Sequence, residues 1–224
     1  MLTVHHLENS RSQRILWLLE ELGIDYEIKL YKRDPKTSLA PLDLKKIHPL
    51  GKSPVVTDGD DTVAESANII EYVLDKYGNG RFRPEQGTDA YQQYRYWMHY
   101  SEGTLGTLII LKLFVGRIET AKMPFFAKPI ANKIAGQIRN AYLDHTLDNN
   151  LAFIEAELGK SDYFVGDSLT GADFQMSFAM DALELRTDLT NFPNMRAYID
   201  RIRSTDSWKR GIEKGGPYEL MGGK

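Results

Sequence analysis

The first thirty residues carry a pattern that restricts the chain to a small group of folds. Leu2–Leu7 is short and typical of a strand. Apolar residues then recur at the i, i+3, i+4, i+7 spacing of a helix with one buried face: Ile15, Leu18, Leu19 and Leu22. Between residues 26 and 31, apolar and polar side chains alternate, which predicts a second strand. Strand, helix and strand in about thirty residues predict a βαβ unit with parallel strands.

The next fifty residues predict a hairpin followed by a helix. Pro54–Thr57 is typical of a strand that starts at a proline, and an Asp-Gly-Asp-Asp turn separates it from the apolar stretch at residues 62–64. Helical spacing then continues to Tyr77, and we expect Ser66 to cap this helix. The predicted order is β-α-β, a connection, and β-β-α, which we assign to a first domain at residues 1–80.

A linker with two glycines and a proline, Gly78–Pro84, separates two parts of the sequence with different patterns. Clear strand patterns stop, and long helical periodicities run over Thr88–Val115 and Pro129–Leu158. Further helices are expected from Leu169 onward and around Met195. We therefore predict an all-helical second domain at residues 88–224. The fold class is a small α/β domain followed by a larger all-α domain.

Composition excludes several classes of function. The chain has 224 residues and no cysteine, so it has no disulfide, no thiolate metal site and no cysteine nucleophile. Lys and Arg number 28 against 31 Asp and Glu, so there is no basic surplus for nucleic acid, and we predict no such partner. The longest apolar run, Leu105–Val115, is too short for a bilayer span. We predict no membrane span and, with no signal peptide at the start, a cytoplasmic location.

The five histidines do not suggest a metal site. His5 and His6 are adjacent in a predicted strand, so their side chains point to opposite faces of the sheet. The other three histidines show no ligand spacing. We therefore expect no metal.

Three motifs resemble those of a known family. They are Asn9–Arg14 after the first strand, His48–Val56 around Pro54, and Glu65–Tyr72 in the predicted helix that continues to Tyr77. In this order and spacing, and followed by a helical half, they resemble the cytosolic glutathione S-transferases, most closely the serine-type bacterial and fungal members. The resemblance implies a thioredoxin-like first domain, reduced glutathione as co-substrate, a role in detoxification, and a homodimer.

The resemblance also implies where glutathione binds. Ser66 can offer a hydroxyl and a backbone N–H at a helix start to the γ-glutamyl carboxylate, and Glu65 can pair with the γ-glutamyl ammonium. From these two residues alone, a plain helix cap is the more common explanation. A cis bond at Ser53-Pro54 would let the Ser53 backbone pair with the cysteinyl residue. Lys52 is a candidate for the glycine carboxylate, or else a surface lysine.

The same resemblance places the catalytic serine at Ser10. A thiol with a pKa near 8.5 is only a few per cent ionised at pH 7, so the site must favour the thiolate. A hydroxyl after the first strand can donate a hydrogen bond to sulfur, worth ~1.5–3 kcal/mol to a charged acceptor. Asn9 and Ser12 remain local rivals for this role, and any of the three could instead cap the first helix.

Three functions stay open on this sequence. The leading one is a transferase that adds glutathione to a small hydrophobic electrophile. A glutathione-dependent peroxidase is the second, because glutathione itself can attack a peroxide. The third is a non-catalytic protein that binds glutathione or another ligand, since fold alone does not imply function.

Overall fold

The structure is a computed structural model, and it describes residues 1–216 and 218. Four strands are present in this part: β1 (Leu2–Leu7), β2 (Tyr26–Tyr31), β3 (Val55–Asp58) and β4 (Asp61–Ala64). The helices are α1 (Gln13–Leu22), α2 (Ser66–Tyr77), α3 (Asp89–Tyr100), α4 (Thr107–Thr120), α5 (Lys128–Ile138), α6 (Asp144–Leu158), α7 (Gly171–Arg186), α8 (Pro193–Ser204) and α9 (Asp206–Gly215). The predicted limit of the second domain at residue 224 lies outside the described residues.

The four strands form one mixed sheet in the order β2-β1-β3-β4. β1 and β2 are parallel, with Val4 opposite Ile28, while β3 pairs antiparallel with both β1 and β4. The predicted βαβ unit and hairpin are therefore confirmed. This α/β part followed by helices confirms the predicted fold class, a thioredoxin-like domain with an all-α continuation.

Helix α1 joins the two parts of the molecule. The buried Trp17 ring lies 4.4 Å from the ring of Phe174 on α7 and 5.4 Å from the ring of Trp208 on α9, measured between centroids. α9 approaches α1 very closely at Gly211, where a Cβ atom would come within 3.3 Å of the Trp17 backbone nitrogen. These contacts fix the end of α9 beside β1 and α1, next to the residues that follow β1.

The two long helical periodicities are present, each interrupted by a wider turn. A π-helical turn at Ser101–Gly106 separates α3 from α4, and another at Arg139–Leu143 separates α5 from α6. Such turns insert an extra residue and change which side chains face a neighbour, and they are frequent at functional sites. In the described part of the chain, no helix is long and apolar enough to cross a membrane.

Two sequence-based expectations need correction. Ser66 does not cap α2: it is the first residue of the helix, and Glu65 occupies the N-cap position without a capping hydrogen bond. The helix α9 was not predicted, because its buried face consists of few large apolar residues among charged ones.

Candidate active site

Two adjoining clefts lie between the sheet and the helical part. The first, which we call the polar cleft, has a volume of about 260 Å³ and is lined by Lys52–Pro54, Glu65, Ser66 and Glu102 among others. The second, the central cleft, has a volume of about 540 Å³ and is lined by Ser10 together with mostly apolar side chains. Because Lys52 and Ser53 line both clefts, a single elongated ligand can occupy the two together.

The polar cleft ends at the start of α2. Glu65 is exposed and has a positive φ of 69°, a region that non-glycine residues rarely adopt. This backbone conformation turns the chain sharply from β4 into α2. It places the buried Ser66 and the first N–H groups of the helix at the cleft, where they favour an anion.

Behind Ser66 lies a fully buried arginine. Arg14 donates from Nη1 to Ser66 Oγ at 3.3 Å and from Nη2 to Glu102 Oε1 at 2.9 Å. Because Ser66 Oγ accepts from Arg14, its own proton remains available to a ligand. Arg11 donates from Nε to both carboxylate oxygens of Glu102, at 3.0 and 2.9 Å. Two guanidinium groups thus share one carboxylate, so these three side chains together carry a net positive charge beside Ser66.

The two arginines keep Glu102 ionised. Burial raises the pKa of Glu102, but Arg14 and Arg11 outweigh that effect, so its pKa is lowered overall. Burial lowers the pKa of Arg14, and Glu102 opposes this. The guanidinium carbons of Arg11 and Arg14 lie 5.0 and 5.2 Å from the centroid of the Phe178 ring. The aromatic face therefore helps to hold both cations in place.

A chain of hydrogen bonds leads from the catalytic candidate Ser10 into the protein interior. Ser10 Oγ lies 2.7 Å from Ser12 Oγ and accepts the Ser12 backbone N–H at 3.2 Å. Ser12 Oγ lies 2.8 Å from Nδ1 of His6. Nε2 of His6 lies 3.0 Å from the carbonyl oxygen of Gly215, at the end of α9.

The carbonyl at the far end fixes the direction of this chain. A carbonyl can only accept, so His6 donates from Nε2. Burial lowers the pKa of His6, which keeps the ring neutral and leaves Nδ1 as an acceptor for the Ser12 hydroxyl. Ser12 Oγ can then accept from Ser10. Ser12 is fully buried and committed to His6, whereas the hydroxyl of Ser10 lies at the wall of the central cleft.

Asn9 is the other residue of this loop that reaches the clefts. It lines the central cleft, and its backbone has a positive φ of 51°. Its Oδ1 atom is buried, with no hydrogen-bond partner in the described part of the chain. The side-chain amide is therefore a second polar group beside Ser10 at the start of α1.

The segment before β3 lies where the two clefts meet, and it carries the glutathione-binding candidates Lys52 and Ser53. The Ser53-Pro54 bond is cis, as the resemblance implies. Ser53 Oγ donates to the His5 carbonyl at 2.9 Å and accepts the Leu7 N–H at 3.3 Å. The hydroxyl is thus used to hold the segment against β1, which leaves the backbone groups of Ser53 as those a peptide could pair with. Lys52 is exposed.

Apart from a few cations such as Arg33, Lys45 and Arg186, the remaining wall of the central cleft is mostly apolar. Most of its wall comes from three places: the short helical turn Leu42–Lys46 with the loops on either side of it, α4, and α7. The side chains are Leu39, Leu42, Leu50, Ile109, Ile110, Leu113 and Phe178. An uncharged apolar ring or chain placed here would be shielded from water next to Ser10.

Several residues of the site escape sequence reasoning. Arg14 meets Glu102 and Phe178 across separations of 88 and 164 positions, and no spacing rule connects such residues. Arg11 is half-buried and paired with Glu102 rather than a free surface charge. His6 was expected only to point away from His5. That expectation is confirmed, since His5 contacts Tyr31 and Thr57, whereas His6 contacts Ser12 and the carbonyl of Gly215.

No group of three or more His, Asp or Glu side chains that could hold a metal occurs in residues 1–216 and 218.

Comparison with known proteins gives the chain its relatives. The family model for the glutathione S-transferase N-terminal domain matches residues 10–76, and the model for the C-terminal domain matches residues 121–210. Glutathione S-transferase 1 of Saccharomyces cerevisiae is 34% identical over 223 residues, covering 96% of this chain and 95% of the yeast protein. Glutathione S-transferase 3 of Schizosaccharomyces pombe is 40% identical over 221 residues, covering 96% of this chain and 88% of its own length.

A solved structure agrees with these relatives. The crystal structure of a glutathione S-transferase from Actinobacillus pleuropneumoniae superposes with a TM-score of 0.76 at 35% identity, covering 98% of this chain and 95% of that one. Both domain models, relatives at 34% and 40% identity over nearly the full length, and this structural match point to the same group. The chain belongs to the glutathione S-transferase family and is a glutathione transferase.

Proposed function

We propose that this enzyme binds reduced glutathione across the polar and central clefts and adds the thiolate to a small hydrophobic electrophile, with Ser10 as the activating residue. The observation that carries the proposal is the placement of Ser10 on the wall of an apolar cleft that adjoins an anion-favouring polar cleft. Glutathione has carboxylates at both ends and a thiol in its middle. The polar cleft suits a carboxylate end, and the adjoining central cleft brings the thiol to Ser10.

The γ-glutamyl end fits the polar cleft. Its carboxylate can accept from the Ser66 hydroxyl and the N–H groups at the start of α2, with the Arg14 guanidinium behind Ser66 adding positive potential. Its ammonium can pair with Glu65, which is exposed at the same cleft. Both charges of this end then have a partner of opposite sign.

The rest of the tripeptide extends toward the central cleft. The backbone of Ser53, before Pro54, is placed to pair with the cysteinyl backbone in the manner of an added strand. Lys52 lines both clefts and can meet the glycine carboxylate. An exposed lysine is held loosely, so we expect its contribution to be smaller than that of Ser66.

Ser10 then acts on the sulfur. Lowering a thiol pKa by about two units requires ~2.7 kcal/mol in favour of the thiolate. One hydrogen bond from a hydroxyl to a charged acceptor contributes ~1.5–3 kcal/mol. To donate to sulfur, the Ser10 proton turns away from Ser12 Oγ, while the Ser12 backbone N–H continues to hold the Ser10 oxygen. The released thiol proton passes to solvent.

The two rivals are weaker candidates on this geometry. Ser12 is fully buried, and its proton is used by the neutral His6 ring. Asn9 reaches the central cleft, and an amide N–H could donate to sulfur. The Oδ1 atom of this amide, however, accepts no hydrogen bond from residues 1–216 or 218 that would orient the group. Ser10 has both the cleft position and a fixed oxygen.

Turnover of 1-chloro-2,4-dinitrobenzene with and without glutathione tests the proposed function. We expect conjugate formation that requires glutathione and a strong loss in a Ser10→Ala variant. A parallel assay with cumene hydroperoxide tests the peroxidase alternative. Faster glutathione-dependent peroxide reduction than conjugation would replace the transferase proposal, and tight glutathione binding without turnover of either substrate would indicate a binding protein.

We also propose a domain division at residues 1–80 and 88–224, from the change of pattern at the linker, and a cytoplasmic location. As the family resemblance implies, we further propose a homodimer and a role in detoxification. The wide groove between α3 and α6, with Tyr96 and Phe153 partly exposed, supports a second subunit, because exposed aromatic side chains favour association. Sedimentation equilibrium checks this: we expect about twice the chain mass, and a monomer at micromolar concentration would contradict it.

A further inference from the structure

The central cleft continues into a third cleft of about 590 Å³ on the side away from the polar cleft. The third and central clefts share four lining residues: Asn9, Arg33, Leu113 and Arg186. The third and polar clefts share none. Within the described residues, the lining of the third cleft includes no acid and five cations, namely Arg33, Lys112, Arg117, Arg139 and Arg186. We call it the basic cleft.

Arg186 on α7 donates from Nη1 to the Ala182 carbonyl oxygen at 3.4 Å. Arg139 and Arg33 are also held by partners of their own. Arg139 donates to both carboxylate oxygens of Glu119 at 2.7 Å, and its Nη1 lies 3.5 Å from Asp144. Arg33 donates to the carbonyl oxygens of Glu8, Ser38 and Asn9, so it ties the loop after β2 to the loop after β1. Neither needs a ligand to account for its position.

Lys112 and Arg117 on α4 are different. Lys112 donates from Nζ to the neutral Thr187 hydroxyl at 3.1 Å and makes no ion pair within the described part of the chain. Arg117 is exposed, and among the same residues it forms neither a hydrogen bond nor an ion pair. Burial lowers the pKa of Lys112, and Arg139 lowers it further, against Asp144 and Asp148. Neither of these two acids lines the basic cleft.

We propose that the electrophile this enzyme uses carries an anionic group, which Lys112 and Arg117 bind in the basic cleft while its apolar body fills the central cleft. This inference rests on the proposed transferase function, since it names the class of its second substrate. Leu113 lines both clefts and is adjacent to Lys112, so the apolar and charged parts of such a molecule meet their walls within one turn of α4. Ser10 also lines the central cleft, and its neighbour in the chain, Asn9, lines both clefts.

The anionic group is a recognition element and is not consumed. With an aryl halide, the glutathione thiolate attacks the ring carbon that carries the halogen, and a carbon–sulfur bond forms. The carbon–halogen bond breaks, and the halide leaves with its electron pair. The carboxylate itself forms and breaks no bond, so its contact with the basic cleft acts on binding of substrate and product. Its effect on the reactivity of the ring is removed when each rate is divided by the uncatalysed rate.

Two probes that differ in one charge test the inference. They are 4-chloro-3,5-dinitrobenzoate and its methyl ester, each assayed for kcat/KM with glutathione and divided by its uncatalysed rate. We expect the acid to be preferred about tenfold or more, because the ester lacks the carboxylate and so loses one hydrogen bond between charged groups. The preference falls as salt is raised, because the contact is partly exposed.

Variants then locate the contact. Lys112→Met and Arg117→Gln each raise KM for the acid by about three- to tenfold and leave the ester unchanged, whereas Lys133→Gln, an exposed lysine outside all three clefts, changes neither. Arg117 is exposed, so that variant keeps the test valid should Lys112→Met fold poorly. Equal use of the two probes, or a preference that both variants retain, would overturn the inference.

Binding separates this inference from the proposed function. In enzyme saturated with S-methylglutathione, which cannot react, calorimetry compares the affinities of the acid and the ester. Preferred binding of the acid without turnover of either probe would support the basic cleft and reject the transferase proposal. Turnover of the ester without any preference for the acid would keep the transferase and reject the basic cleft.

Discussion

Replacing Ser12 by alanine tests the hydrogen-bond chain behind Ser10. The hydroxyl of this fully buried serine is the donor to Nδ1 of His6 at 2.8 Å. Without it, Nδ1 keeps no donor, and an unsatisfied buried acceptor costs about 1–3 kcal/mol. In a chain of this size each kcal/mol lowers the melting temperature by about 2–4 °C, so a loss of about 2 kcal/mol gives about 4–8 °C.

Thermal unfolding at fixed protein concentration measures this loss. Ser204→Ala is a matched control, because that serine is exposed and bonds only the nearby Arg201 carbonyl at 2.7 Å. We expect the control to change stability by less than about 0.5 kcal/mol. In a His6→Phe background no Nδ1 remains, so Ser12→Ala should cost less there by about 1 kcal/mol. If Ser12→Ala costs the same stability in the wild type and in His6→Phe, the hydrogen bond between Ser12 and His6 is refuted.

Three further predictions concern Ser66, His6 and Asp173. Ser66→Ala removes a charge-assisted hydrogen bond to the γ-glutamyl carboxylate, so glutathione affinity by calorimetry should fall about tenfold or more; unchanged affinity would contradict the proposed contact. Burial lowers the pKa of His6, so the unfolded chain binds a proton that the folded state does not, and stability falls as pH drops below about 6.5. In His6→Gln, whose amide can still bond both partners, thermal unfolding between pH 7.5 and 5.5 should show a shallower loss than in the wild type, and parallel curves would reject the assignment. Asp173 is fully buried and accepts from the backbone N–H groups of Phe164 and Thr170 at 3.0 and 2.8 Å, so Asp173→Ala should destabilise the fold by about 3–5 kcal/mol, while the exposed Asp200→Ala should not.

The sequence predicts the fold well where local periodicity decides the structure. The alternation at residues 26–31 and the helical spacing of α1 are properties of short segments, so the βαβ unit can be inferred from them. α9 could not be inferred in this way. It is held by Glu20 of α1, which accepts from Arg210 Nε at 2.9 Å, and by Trp208 against Trp17. Such contacts join residues about 190 positions apart.

The same distinction holds for the candidate site. Motifs identify Ser10, Ser66 and Ser53-Pro54, because each lies next to a strand or helix end that its neighbours predict. Glu102 lies on a π-helical turn that apolar spacing does not reveal. Its place in the site depends on hydrogen bonds from Arg11 and Arg14, which are far away in sequence. The role of His6 depends on Gly215, whose carbonyl sets the direction of the hydrogen-bond chain.

The pKa of glutathione bound to the wild type, Ser10→Ala and Ser12→Ala is the most direct test of the central claim. Thiolate absorbance against pH measures it, with glutathione affinity recorded in parallel. A lost hydrogen bond of about 2 kcal/mol raises the pKa by ~1.5 units, so we expect Ser10→Ala to hold about thirtyfold less thiolate near neutral pH. Ser12→Ala should stay within about half a unit, because its hydroxyl serves His6. An unchanged titration in Ser10→Ala, or the large shift in Ser12→Ala or Asn9→Ala instead, would contradict the account.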